Sequence, residues 1–132
     1  MSMLDPWDHA SALAQRLQAP ESRLMIVVGA EAWCARCREV RPDVDALAAR
    51  APDDETWLWL DMEDHGQFLG DYQPGNLPMM FVYRGQRLVS ATFLDNGATL
   101  ERAATGAPMH PDDIPADPGI RARLLQQDWA LE

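Results

Sequence analysis

Two short apolar segments, separated by a segment long enough for a helix, constrain the fold of this chain most strongly. Leu24 to Val28 is continuously apolar and partly β-branched, which predicts a strand buried on both faces. Thr56 to Met62 predicts a second strand, dense in aromatic and aliphatic residues. Between them, the segment from about Cys34 to Arg50 carries its apolar side chains on one face of a helix. Because a helical crossover joins strands that run the same way, the two strands are expected to be parallel.

The rest of the chain predicts a mixed sheet covered by helices. Apolar spacing, capping residues and turn residues predict the following elements: an N-terminal helix that starts at Asp5-Pro6 (5–18), a short helix (63–72), a hairpin of two strands (79–83 and 88–93), a short helix (98–105), and a Pro-rich segment and terminal helix (107–131). The terminal helix is expected to start at Asp117-Pro118 and to cover residues 118–131, with Ile120, Leu124, Leu125 and Trp129 facing inward. The hairpin supplies antiparallel strands. We therefore expect an α/β protein with a central mixed four-stranded sheet flanked by helices on both faces.

Length and charge exclude several classes of function. The 132 residues favour one domain, 1–132. All 11 cationic residues are Arg, so lysine Schiff bases and lysine nucleophiles are excluded, and the net charge of -10 opposes binding to nucleic acid or to an anionic membrane. No segment approaches the roughly 20 apolar residues of a membrane span. Asp5 and Asp8 stand where a signal peptide carries positive charge, so a cytoplasmic location is expected.

The two cysteines, Cys34 and Cys37, stand where a strand has ended and a helix begins. The first N–H groups of a helix have no internal partner, and the helix dipole places partial positive charge there. This position, with Arg36 and Arg38 nearby, stabilises the thiolate of Cys34 and makes it a stronger nucleophile and leaving group at neutral pH. Cys37, one helical turn further on, can close a small disulfide ring with Cys34.

Three interpretations of this pair remain open from the residues themselves. A zinc site needs about four ligands, and the histidines are scattered at His9, His65 and His110. An inert buried pair is the second interpretation, and Trp33 at the strand-to-helix junction argues against it. A redox-active dithiol is the interpretation that the position and spacing favour.

Three separate motifs resemble the thioredoxin superfamily. Trp33 to Arg38, with Pro42 five residues after the second cysteine, is similar to the family's W-C-x-x-C-[KR] region and its helix-kinking proline. Gly75 to Pro78 resembles the loop that holds the family's cis-proline, and the Arg84-Gly85-Gln86 turn resembles its glycine-bearing hairpin. The resemblance covers about residues 22–95 in matching order and spacing, and it implies a thioredoxin-like fold.

The resemblance also implies a thiol-disulfide oxidoreductase and a role for each site residue. Cys34 would be the nucleophile and Cys37 the resolving thiol. Trp33, Ala35 and Arg36 would shape the site, and Leu77 and Pro78, joined by a cis peptide bond, would position an extended substrate segment by β-augmentation. It implies no metal or organic cofactor. Electron transfer would connect disulfide-containing protein substrates with a reductase or a small thiol.

The sequence departs from the family at several positions. The buried aspartate expected six residues before the first cysteine is replaced by Val28, and its usual lysine partner falls near Trp59; Glu31 or Asp61 acting through water are candidate substitutes. Ala35-Arg36 replaces thioredoxin's Gly-Pro, which predicts a less reducing potential. The missing acid and the segment 107–131, which has no clear match in the minimal fold, keep an alternative open, namely a non-catalytic binding module or assembly chaperone.

The strand from Thr56 to Met62 is expected at an edge of the sheet. The residues before Asp5 are too few to supply a further strand. An apolar edge strand favours pairing with another chain, which would here be a second copy in a homodimer.

Overall fold

A computed structural model describes residues 3–105 and 108–125 of the chain. The helices and strands follow in this order: α1 (Ala10–Leu17), β1 (Arg23–Gly29), α2 (Ala35–Ala49), β2 (Glu55–Asp61), α3 (Gly66–Leu69), β3 (Met79–Arg84), β4 (Arg87–Phe93), α4 (Gly97–Ala104), a 3₁₀ turn (Pro111–Asp113) and α5 (Ile120–Leu124). The four predicted strands are all present, with ends within a residue of their predicted positions.

The strands form one sheet in the order β2-β1-β3-β4. β1 and β2 are parallel, with Leu24 opposite Thr56, as the crossover through α2 requires. β3 runs antiparallel to β1 and forms a hairpin with β4. The mixed four-stranded α/β fold predicted from the sequence is therefore confirmed.

The sheet separates two apolar cores because alternate residues of each strand point to opposite faces. Leu24, Ile26 and Val28 of β1 pack against α1, α3 and α5, while Met25 and Val27 pack against α2 and α4. Both faces of β1 are thus buried, as its continuous apolar run predicts. Trp57 and Trp59 of β2 share the second core, where both are buried.

The N-terminal helix begins at Ala10 rather than at Asp5-Pro6, which corrects the predicted boundary. The Asp5 carboxylate accepts a hydrogen bond from Trp7 N at 2.8 Å, and its second oxygen lies 3.3 Å from Nε2 of His65. Residues 6–8 therefore form a turn closed by the aspartate side chain. Asp5 closes this turn instead of capping a helix.

The two other short helices also differ from their predicted extents. α3 covers only Gly66–Leu69 of the predicted 63–72, because the preceding turn is held by side chains and Gly70 leaves the helix with φ 58°. α5 begins at Ile120, two residues later than expected, since the Asp117 carboxylate accepts from Gly119 N at 2.7 Å and closes a turn there. Ile120 and Leu124 are buried as predicted, and Trp129 lies outside the described residues.

Both edges of the sheet are contacted by residues that lie outside the four strands. On β2, Leu4 forms a single parallel bridge to Leu58, and its N–H donates to the Trp57 carbonyl at 3.1 Å. On β4, Met109 N donates to the Val89 carbonyl at 3.0 Å, and the Met109 thioether accepts from Ala91 N at 3.3 Å. β2 is an edge strand as expected, and the residue before Asp5 occupies part of that edge.

No helix among residues 3–105 and 108–125 combines the length and the apolar character needed to cross a bilayer.

Candidate functional site

The two cysteines meet at the carboxyl end of β1. After Gly29 the chain turns through residues 30–33, and Cys34 becomes the residue that caps the N-terminus of α2. Its sulfur accepts a hydrogen bond from Cys37 N at 3.2 Å, so one of the unpaired N–H groups of the first turn is directed at it. Cys34 and Cys37 are joined by a disulfide, with their Cα atoms 5.3 Å apart.

The two sulfurs lie in different environments. Cys34 is partly exposed, whereas Cys37 is 0% exposed and belongs to the apolar core beneath α2. Sγ of Cys37 accepts from Ala30 N at 3.5 Å. A partner can therefore approach Cys34, while burial in apolar surroundings opposes ionisation of the Cys37 thiol.

A groove of about 290 Å³ opens beside Cys34. It is lined by Trp33, Cys34 and the loop from Pro74 to Leu77. The Leu77–Pro78 peptide bond is cis, and the Leu77 carbonyl oxygen lies 3.9 Å from the Cys34 sulfur. The structure thus brings Trp33, Leu77 and Pro78 to the cysteines, and the Leu77 main chain stands at the edge of the groove.

On another side of the site, Arg36 contacts the end of β4. Its guanidinium carbon lies 5.3 Å from the Phe93 ring centroid, and Nη1 lies 3.5 Å from the Asp95 carboxylate. Leu94 N donates to the Pro78 carbonyl at 2.9 Å, which joins this strand end to the cis-proline loop. Both charged side chains are about half exposed, so their attraction is screened by water.

The carboxylates offered as substitutes for the missing aspartate are engaged elsewhere. Glu31 pairs with Arg41 at 2.6 Å. Asp61 accepts from the main-chain N–H groups of Glu31, at 3.1 Å, and Glu63, at 2.9 Å. Both acids therefore hold the loops around the site in place.

Val28 and Trp59 are both apolar, but only Trp59 lies on the face of the sheet that carries Cys37. Val28 packs into the core with α1 and α3, and Trp59 packs into the same core as Cys37. The Arg41 guanidinium carbon lies 4.8 Å from the Trp59 ring centroid, so a cation lies over the indole. The expected aspartate position is thus a valine in the opposite core, and the position near its expected lysine partner is an indole with a cation over it.

The described part of the chain contains no group of three or more His, Cys, Asp or Glu side chains placed to hold one metal ion. His65 has both ring nitrogens in hydrogen-bonding contacts, with Asp61 N at 2.9 Å and Asp5 at 3.3 Å. The disulfide already occupies both cysteine sulfurs.

Phe93 and Asp95 are neighbours of the site that the sequence does not predict. Their position depends on the register of the β3–β4 hairpin, in which Phe93 pairs with Met79 directly after the cis-proline. No local motif marks them. Pro74 carried a better signal, because it belongs to the loop that leads into Gly75 to Pro78.

Comparison with solved structures gives strong matches to thioredoxins. The thioredoxin of Fasciola hepatica matches with a TM-score of 0.62 at 20% identity, over 80% of this chain and 97% of that chain. The germline-specific thioredoxin Deadhead of Drosophila melanogaster matches with a TM-score of 0.63 at 16% identity, over 80% and 96%. Thioredoxin f2, in a complex with ferredoxin:thioredoxin reductase, gives 0.58 at 15% identity, over 79% and 91%.

No family model matches the chain, and no curated protein matches it. At these identities the structural likeness shows the fold: the chain has the thioredoxin fold, which confirms the fold that its motifs led us to expect. This fold, with a close cysteine pair at the N-terminus of α2, fits a redox function of the oxidoreductase kind.

Proposed function

We propose that the protein is a thiol-disulfide oxidoreductase that exchanges disulfides with protein substrates through Cys34 and Cys37. The observation that carries the proposal is the asymmetry of the pair. One sulfur is partly exposed at a helix N-terminus beside a groove, and the other is buried next to it. A dithiol catalyst needs such a division, because one sulfur must meet the partner and the other must wait out of reach.

The exchange proceeds in two steps from the reduced protein. The Cys34 thiolate attacks one sulfur of the substrate disulfide; a mixed disulfide forms, and the substrate's other sulfur leaves as a thiolate that takes a proton from water. Cys37 then gives up its proton to water and attacks the Cys34 sulfur, which releases the second substrate thiolate for protonation. The substrate gains two electrons and two protons, and the protein is left with the Cys34–Cys37 disulfide.

The residues around the pair have complementary roles in this proposal. The exposed Trp33 and the main chain of Leu77 hold an extended substrate segment in the groove, as in strand addition. Pro78 keeps the Leu77 carbonyl facing Cys34. Ala35 leaves the first helical turn unobstructed, and Arg36 supplies positive charge near the thiolate.

Return to the reduced state requires two electrons from a partner. We assign this role to a protein reductase or a small thiol in the cytoplasm. The description of one similar structure as a reductase–thioredoxin complex supports the first of these. Pairing of two copies through the β2 edge also remains part of the proposal, with Leu4 covering only one position of that edge.

The apolar surroundings of Cys37 favour one alternative, a non-catalytic thioredoxin-like binding module or assembly chaperone. In that case the groove would hold a partner segment without turnover. A burial that opposes ionisation of Cys37 slows the second step, and a binding module does not need this step.

Insulin reduction with dithiothreitol as electron donor tests the proposal. Cys34→Ser is expected to reduce the rate to that of dithiothreitol alone, and Ala46→Ser, an exposed change on the same helix, is the matched control. Cys37→Ser is expected to accumulate mixed disulfides with insulin chains on Cys34. If the wild-type protein reduces insulin no faster than Cys34→Ser does, the result would contradict catalysis and favour the binding module.

A further inference from the structure

Trp7 is a large exposed apolar side chain that the proposed exchange does not use. In the described part of the chain, the large hydrophobic side chains that are exposed are Trp33, at 62%, and Trp7, at 46%. Trp33 belongs to the groove beside Cys34. Trp7 lies in the turn before α1, against the loop that follows β2.

The Trp7 indole is held in place although nearly half of it faces solvent. Its Nε1 donates to the Asp64 carbonyl at 2.9 Å, and its ring centroid lies 5.0 Å from that of Phe68. The Trp7 main-chain N–H donates to Asp5 at 2.8 Å. A rigid aromatic face offers contact area to a partner with little loss of conformational entropy.

The residues next to this main-chain contact carry exposed carboxylates. Asp8, Glu63 and Asp64 are all exposed, and none of them takes part in the ion pairs found among residues 3–105 and 108–125. The unpaired charge here is therefore negative, in a chain whose net charge is -10.

The same loop leads to the cysteines. A single carboxylate, Asp61, accepts hydrogen bonds from both Glu31 N, in the turn before Cys34, and Glu63 N. The loop that carries Glu63 and Asp64 is thus in direct contact with the active-site turn. A partner whose disulfide lies in the groove can reach Trp7 along this path.

We propose that Trp7, Asp8, Glu63 and Asp64 form an accessory docking surface for a basic segment of the disulfide-bearing partner protein. Arginine or lysine side chains of the partner stack on the indole and pair with the three carboxylates. The inference rests on the proposed function. It adds a preference for basic substrates, supplied by residues outside the groove.

Disulfide-linked peptide dimers test this surface. Each half is about nine residues long, extended at ~3.3 Å per residue, with a central cysteine and with either arginine or glutamate at the same four positions. The uncharged hydroxyethyl disulfide serves as a third substrate. At low salt the wild-type protein is expected to reduce the basic dimer with a kcat/KM at least about ten-fold above the acidic one, and salt is expected to narrow the difference.

Variants assign the preference to the surface. Trp7→Ser is expected to lower kcat/KM for the basic dimer about two- to five-fold. Glu63→Gln/Asp64→Asn is expected to weaken the salt dependence of kcat/KM for the basic dimer. Both variants are expected to reduce hydroxyethyl disulfide at the wild-type rate. The matched control is Glu21→Gln/Asp53→Asn, which removes two carboxylates beside a cleft between the end of α1 and the start of β2. If Trp7→Ser proves unstable, Glu63→Gln/Asp64→Asn still tests the surface, because the carboxamides keep the shape of the carboxylate side chains.

A binding measurement separates this inference from the proposed function. The basic peptide with serine in place of cysteine is titrated into the protein by calorimetry, with the acidic serine peptide as reference. The surface is supported if the protein binds the basic peptide and not the acidic one, and if Glu63→Gln/Asp64→Asn weakens this binding. This result supports the surface even if hydroxyethyl disulfide is not reduced. Equal binding of both peptides, binding unaffected by these variants, or no binding at all would overturn it.

Discussion

Cys34 and Cys37 are three positions apart in the chain, yet their sulfurs differ in exposure. The N-terminus of α2 produces this difference. The first residue caps α2 with its side chain outside the helix, and the second lies a turn inside and faces the core. Arg36 stands between them, half exposed and turned toward Phe93 and Asp95. Its charge near the site favours the thiolate of Cys34, which stabilises the reduced form of the pair.

This charge predicts the direction of the redox potential. Equilibration with glutathione is expected to give a midpoint above the ~-270 mV typical of thioredoxin. Arg36→Gln is expected to lower it by on the order of 10 mV, because an exposed charge is largely screened. Arg50→Gln, the same change at the far end of α2, is the control. A wild-type midpoint at or below thioredoxin's value would contradict this account of the site.

At the scale of elements, α5 and the residues before it are fixed to three other parts of the fold. The Tyr83 hydroxyl on β3 donates to the Asp117 carboxylate at 2.6 Å. Arg121 Nη2 donates to the Leu17 carbonyl of α1 at 2.9 Å, and Arg123 donates to the Leu69 carbonyl of α3 at 3.3 Å. These contacts make the segment an integral cover for one face of the sheet.

The Tyr83 hydrogen bond predicts a pH dependence of stability. Burial, and then the hydrogen bond and negative charge of Asp117, raise the pKa of Tyr83 far above its ordinary value of 10.0. The folded state therefore holds this proton where the unfolded chain has lost it. The stabilisation is complete below pH 10 and declines as the pH rises toward the folded-state pKa.

Tyr83→Phe isolates this contribution. It is expected to lower the free energy of unfolding by about 1 kcal/mol at pH 7, and to flatten the decline in stability between pH 9 and pH 11 seen in urea titrations. Comparison with the wild type is needed because burial also raises the pKa of Tyr72. Parallel curves for the two proteins above pH 10 would show that Tyr83 does not hold its proton.

At the scale of the molecule, the net charge of -10 opposes compactness through repulsion among carboxylates. Raising NaCl from ~20 mM to ~0.3 M at pH 7 shortens the screening length and is expected to raise Tm by roughly 2–4 °C. The same change near pH 4.5, the isoelectric point, is expected to have a smaller effect. A Tm that falls with salt at pH 7 would indicate that attractive ion pairs dominate instead.

The sequence correctly predicts those parts of the fold that are determined by local residue patterns. The apolar run at Leu24–Val28, the cysteines at the helix start and the glycine turn at Gly85 each reflect a local requirement, and each lies where expected. Two of the helix boundaries that were predicted wrongly involve aspartates in contact with residues distant in sequence. Asp5 contacts His65 and Asp117 contacts Tyr83, so each aspartate closes a turn where the sequence predicts the start of a helix.

The candidate site follows the same division. Trp33, both cysteines and the Leu77–Pro78 loop carry short motifs and were predicted, whereas Phe93 and Asp95 reach Arg36 only through the hairpin register. Trp7 reaches Phe68 through the docking of the N-terminal turn. Such neighbours are set by tertiary packing and leave no periodic signal in the chain.

Alkylation of the reduced protein with iodoacetamide across a pH series tests most directly whether the fold activates one sulfur. The rate at each cysteine is followed by mass spectrometry, with guanidinium-unfolded protein as the reference. Cys34 is expected to react fast well below pH ~8.5, the value at which a free thiol ionises, and Cys37 to stay nearly unmodified. A Cys34 that reacts no faster than in the unfolded chain, or both thiols reacting alike, would contradict the account.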